Sequence, residues 1–214
     1  MRIRDLMSTN LVTVDEKTSI QDARKIMEAH RIRRLPVMKK DKLVGLVTKH
    51  MLLEAAPSPA TSLSIHELNY IISKMTVKDI MVKEPYTISP DVPAEEALQI
   101  GQELGYGAFP VMEAGKLVGM VTESDIVRLM TRVLGVRGKG KRIDIKASRE
   151  FGSMKRIMEI LDHNKIVLLS VMTVPPEADD EDLDWLIVLR LKTADCGPVA
   201  DEFRSSGFNV TYVG

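Results

Sequence analysis

The chain has 214 residues, 44% of them hydrophobic and 28% charged, and its 30 basic and 30 acidic side chains give a formal net charge of zero. That balance is ordinary for a globular protein and offers no general case for nucleic acid or an anionic membrane as partner. A lone cysteine, Cys196, excludes an internal disulfide framework, and no run approaches the roughly 18 apolar residues of a membrane span.

The opening MRIRDLMSTN lacks the apolar core of a signal peptide, so the chain reads as cytoplasmic. Residues 1–54 read as a first unit. Val12-Thr13-Val14 is a short strand, and Ser19 caps a helix whose Ile20, Ala23, Ile26 and Met27 share one face. The basic stretch His30-Arg31-Ile32-Arg33-Arg34 leads into an apolar strand, Leu35-Pro36-Val37. Residues 55–76 connect this unit to the next. Pro57 and Pro59 break any helix running on from the first unit, and Ile65, Leu68, Ile71 and Ile72 then mark one face of a short helix.

Residues 77–135 read as a second unit of the same plan. Thr87-Ile88 is its early strand, Pro93 opens its helix, and Ala97, Leu98, Ile100 and Leu104 are that helix's apolar positions. Gly105-Tyr106-Gly107 stands where the first unit has arginines, and two glycines let a backbone approach a ligand closely. Ala108, Phe109, Pro110 and Val111 begin a strand, a turn follows at 113–116, and 117–121 is a second strand of aliphatic residues. Residues 136–141, VRGKGK, form a glycine-rich basic hinge.

Residues 142–214 read differently. Strands are expected at 142–147, 166–174, 185–191 and 208–213, with one helix through Ile157 and Leu161 and another through Val199 and Phe203. That order, βαββαβ, is the ferredoxin-like plan. The acidic run from Glu177 through Asp179, Asp180, Glu181 and Asp182 to Asp184 lacks the glycine and spacing of a calcium loop and reads as a solvated hairpin loop. Four histidines show no ligand spacing, and no nucleophile–base pair or phosphate-binding loop is visible. The expectation is a non-enzyme with no metal and no catalytic cofactor.

A shift of 74 residues lays the chain on itself without a gap. Asp5-Leu6-Met7 falls on Asp79-Ile80-Met81, Pro36-Val37-Met38 on Pro110-Val111-Met112, and Lys42-Leu43-Val44-Gly45 on Lys116-Leu117-Val118-Gly119. Such a period is domain-sized, beyond that of a solenoid. Each copy ends on a threonine, Thr48 or Thr122, that opens a helix. In the second copy Asp125 follows one turn on; in the first, Met51 stands there. Thr122-x-x-Asp125 has two readings. It is a capping box, or a hydroxyl and a carboxylate placed to meet a phosphate and a ribose diol at a helix start.

Over about residues 1–135 the copies resemble CBS domains. The resemblance rests on the Asp-x-Met openings, on Arg33-Arg34-Leu35-Pro36-Val37, and on the closing Gly119-x-x-Thr122-x-x-Asp125. It implies one paired module that binds AMP, ADP, ATP or S-adenosylmethionine as a regulatory ligand. Thr122 and Asp125 would meet phosphate and ribose, with Thr87, Ile88, Ala108, Phe109, Pro110 and Val111 around the base. A second cleft would use Thr13, Val14, Arg33, Arg34, Leu35, Pro36, Val37, Thr48 and Lys49. Its lost carboxylate leaves it empty, differently liganded, or reliant on Lys49 and His50.

Residues 142–214 resemble an ACT domain, a module that often binds amino acids and pairs its sheets with another copy; Gly152 is the best local match to its ligand position. The proline-bearing connector ahead of the second repeat resembles the AcuB-like proteins of acetoin utilisation. The expected fold is mixed α/β (α+β): a CBS pair followed by a ferredoxin-like ACT domain. The expected function is a homodimeric nucleotide sensor that regulates a protein partner. A ligand-free dimerisation scaffold and an amino-acid sensor are the alternatives.

Overall fold

The computed structural model describes residues 1–55, 70, 74–136, 138, 140–148, 151–176 and 184–214. The helix expected through Ile65 and Ile72 and the acidic run at 177–183 lie outside the described residues. Contacts divide the chain into two compact units, Met1–Ile126 and Val127–Gly214.

In the first unit, β1 (Val14–Asp15) lies parallel to β2 (Arg34–Lys39), and β2 pairs antiparallel with β3 (Lys42–Thr48). Between β1 and β2 runs α1 (Ile20–His30). Ser19 starts it by accepting a hydrogen bond from the Asp22 amide, and Ile20, Ala23 and Met27 bury one face. It stops at Arg31, held left-handed at φ 53°. Thr48 then caps α2 (Lys49–Glu54), accepting from the Met51 amide at 3.3 Å. Leu35, Val37 and Val47 are fully buried in this core. Each such burial contributes about 1.5–3 kcal/mol.

The second repeat rebuilds the pattern. After α3 (Val77–Ile80) and β4 (Val82–Lys83) come α4 (Ala94–Leu104), β5 (Ala108–Glu113), β6 (Lys116–Thr122) and α5 (Glu123–Val133). β5 and β6 pair antiparallel with a register shift between Val111 and Met112, matching the shift between Val37 and Met38. Pro93 sits at the N-cap of α4, one residue before the helix begins, and Gly105 ends it at φ 71°.

The repeats exchange their lead-in strands. β4, from the second repeat, pairs with β3 of the first through Leu46 and Val82. Ser8, from the first repeat, bridges Met120 on β6 of the second. Arg2 likewise bridges Pro93, as Thr76 bridges Ser19. Neither repeat completes its sheet alone.

The second unit contains β7 (Lys141–Ala147), α6 (Ser153–His163), β8 (Val167–Val174), β9 (Trp185–Lys192), α7 (Gly197–Ser205) and β10 (Asn209–Val213). Its antiparallel sheet runs β10-β7-β9-β8, so the expected βαββαβ order is present with first and third strands central. Ile143, Ile145, Ile157, Leu189, Leu191 and Phe203 form a fully buried core. β8 is an edge strand and leaves Val167, Leu169, Val171 and Val174 exposed.

Candidate functional site

A cavity of about 300 Å³ opens where the first repeat's Thr48 turn meets the second repeat's lead-in. Arg34, Leu46, Thr48 and Met51 line it from the first repeat; Val82, Pro85, Tyr86 and 105–108 line it from the second. The strand exchange causes this mixing, because pairing β4 with β3 delivers Pro85 and Tyr86 beside Thr48.

One wall is aromatic. The Tyr86 and Tyr106 rings stack at 6.3 Å and 27°, and Phe109 meets Tyr86 edge-on at 5.9 Å. Tyr86 is 44% exposed and Tyr106 36%, so both present ring surface to a flat ligand. The lining also includes Thr48, whose oxygen takes the Met51 amide and whose O–H has no carboxylate acceptor at Met51.

Thr122 differs. Its hydroxyl donates to Asp125 Oδ2 at 2.7 Å, its amide donates to the same oxygen at 3.0 Å, and the Asp125 amide donates back to the hydroxyl at 3.3 Å. Both threonines open helices, but only Thr122 has its hydroxyl proton engaged by a carboxylate one turn on.

Arg34 links the two turns. Its guanidinium lies against Gly107, where a Cβ would stand only 2.9 Å from Nη2. That approach is open only because residue 107 has no side chain. Burial comes first in lowering the Arg34 pKa and the neighbouring Arg33 adds to it, while Glu123 and Asp125 pull the other way. Half-buried Arg34 therefore faces both the cavity and the carboxylates that begin α5.

The sequence-predicted residues divide. Arg34, Thr48 and Ala108 share the cavity. Ile88, Phe109, Pro110 and Val111 are buried, with Phe109 behind the aromatic wall; Thr87 is exposed. Neither Thr122 nor Asp125 lines the cavity that holds Ala108. Arg33 and Lys49 line a different hollow, beside α1. Thr13 is exposed, whereas Val14, Leu35, Pro36 and Val37 are buried. Gly152, in the other unit, is the N-cap of α6 at φ 102°. Sequence reasoning missed Tyr86; its signal was an aromatic directly before the early strand of a chain only 4% aromatic.

Two repeats of one α/β unit, exchanging strands around a shared cavity, define a tandem-repeat module. Residues 3–58 and 77–132 match the CBS domain, and the chain belongs to that family. A CBS domain-containing protein of Dictyostelium discoideum is 34% identical over 134 residues, 62% of this chain and 92% of that protein. Inosine-5'-monophosphate dehydrogenase of Korarchaeum cryptofilum is 29% identical over 148 residues, 69% of this chain but only 28% of the enzyme.

Among solved structures, the CBS domain pair of MJ0100 in complex with 5'-methylthioadenosine and S-adenosyl-L-methionine has TM-score 0.52 and 26% identity, covering 62% of this chain and 97% of that one. CBSX2 in complex with AMP has TM-score 0.51 and 28% identity, with the same coverage. An acetoin utilization protein (AcuB) of Vibrio cholerae has TM-score 0.52 and 25% identity, covering 64% of this chain and 95% of that one. No helix among the described residues is long and apolar enough to cross a membrane.

Proposed function

We propose that the chain is a regulatory sensor, not an enzyme, and that its CBS pair binds an adenosine-containing ligand: AMP, ADP, ATP or S-adenosylmethionine. The observation that carries this is the cavity joining Thr48 and Arg34 to stacked Tyr86 and Tyr106. A purine stacks on exposed tyrosine, a hydroxyl donates to ribose or phosphate, and a guanidinium forks onto phosphate. Two related pairs are known with such ligands, AMP on CBSX2 and S-adenosyl-L-methionine on MJ0100.

Thr122 and Asp125 act beside this cavity through Arg34, and also hold ribose and phosphate in the reading taken over from the family motif. The remaining strand residues, Thr87, Ile88 and 109–111 in one repeat and Thr13, Val14 and 35–37 in the other, form the backing of the two clefts. We assign 1–54 and 77–135 to the CBS repeats and 142–214 to an ACT domain, whose amino-acid ligand would sit at Gly152. Nucleotide binding is coupled to that domain or to a regulated partner, in a homodimer. Coupling requires a ligand that prefers one arrangement of the protein over another.

The test is equilibrium binding of AMP, ADP, ATP and S-adenosylmethionine to wild type, Y86A and T48V. Loss of at least tenfold in affinity in Y86A is expected. Equal binding by wild type and both variants would overturn the placement.

A further inference from the structure

The 74-residue repeat gives the two repeats matching hollows with opposite charge. In the second repeat a hollow of about 280 Å³ lies between α4 and the start of α5, with Leu98, Gly105, Gly107 and Glu123 in its lining. In the first a hollow of about 310 Å³ lies between α1 and the start of α2, and the equivalent positions are Arg24, Arg31, Arg33 and Lys49. The backbone is the same: the Lys49 amide donates to the Arg33 carbonyl at 2.8 Å, as the Glu123 amide donates to the Gly107 carbonyl at 3.1 Å. Only the side chains differ, from leucine, glycine, glycine and glutamate to four cations.

We propose that the hollow beside α1 is an anion site, separate from the Tyr86 cavity, for a ligand carrying two or more phosphate groups. Arg24 is engaged by Glu28 at 3.0 Å. Glu28 also lines the hollow but is taken up by Arg24, and Arg31, Arg33 and Lys49 make no ion pair among the described residues, so the concavity is left with an excess of positive charge. Three like charges held together repel one another, and a multivalent anion relieves that repulsion. Arg31 adds an independent sign. It sits at φ 53°, a conformation the sister position gives to glycine. An arginine there costs stability that glycine would not. A volume near 300 Å³ suits a compact ligand. Arginine forks and a lysine point charge both suit phosphate oxygens.

The probe is inorganic tripolyphosphate, titrated calorimetrically into the full chain at about 0.1 M salt, where surface charges are still felt at close range. It carries no nucleoside, so its failure leaves the Tyr86 reading untouched, and failure of the Tyr86 reading leaves this one untouched. The variant R31G/R33G/K49E installs side chains that the same backbone already carries in the second repeat. Wild type is expected to bind tripolyphosphate more tightly than monophosphate, with a loss of tenfold or more in the variant. R33Q/K49Q gives the same reading if the triple variant melts early. Equal binding by wild type and R33Q/K49Q overturns the proposal. So does a wild type that binds duplex DNA but not tripolyphosphate, which would make the hollow a nucleic-acid contact.

Discussion

Met7 of the first repeat lies on Gly119 of the second: a Cβ built on Gly119 would come within 2.5 Å of the Met7 Sδ. Met81 and Gly45 repeat the relationship with the repeats exchanged, and there the Val82 carbonyl oxygen also stands 3.0 Å from the added carbon. The Asp-x-Met opening of one repeat is thus the packing partner of the closing glycine of the other. G45A is expected to destabilise by about 1–3 kcal/mol, because backbone must move. G119A is expected to cost less, since only the flexible Met7 side chain has to give way. Urea denaturation of the two variants checks the ranking; a larger loss in G119A would contradict it.

The Thr122–Asp125 hydrogen bonds cap α5 whether or not a ligand is present. D125A is therefore expected to lower stability by about 1 kcal/mol without nucleotide. Thr76 and Asp79 form the same box ahead of α3, so D79A should cost a similar amount. Thermal melts of both proteins without ligand test this. An unchanged D125A melt would mean that the carboxylate serves a ligand alone.

Asp91 receives Arg4 Nη2 at 2.7 Å and Arg2 Nη1 at 3.1 Å, tying the exchanged N-terminal segment to the second repeat. The Arg4 hydrogen bond comes first in holding the Asp91 carboxyl below the usual aspartate range. A depressed folded-state value means that the unfolded chain takes up the proton first. The contribution is complete above the unfolded-state pKa and is lost as pH falls through the folded-state value. D91N should flatten the decline in stability below about pH 4. The effect is small, because all three side chains face solvent. Parallel acid limbs for wild type and D91N in pH-dependent urea melts would rule it out.

β8 presents four exposed aliphatic side chains on an edge with no charged residue between Val167 and Val174. Such an edge pairs readily with another strand, and an identical antiparallel edge meets no like-charge repulsion. V171K is expected to weaken self-association without unfolding the unit. Sedimentation velocity over a dilution series reads this directly; an unchanged dissociation profile would mean that this edge makes no contact between copies.

Local features were legible in the sequence, and features set by distant pairing were not. The repeat, the Ser19 and Thr122 caps and the βαββαβ order depend on spacing within a few turns. The strand exchange depends on Ser8 finding Met120 and Val82 finding Leu46, which no local pattern encodes. Ala108 lines its cavity with Thr48 and Met51 of the other repeat, a neighbourhood that no spacing within one repeat reveals. Arg33 and Arg34 are adjacent in sequence yet line different hollows. Tyr86 had no periodic partner, and its worth appears only when Tyr106 and Phe109 close around it.

Calorimetric titration of the full chain with AMP, ADP, ATP and S-adenosylmethionine tests the central reading most directly. Saturable binding of at least one of them, with the preferred compound binding at micromolar strength or tighter (about −8 kcal/mol), is the predicted result. Flat titrations with all four would contradict the sensor reading and leave the CBS pair as a scaffold.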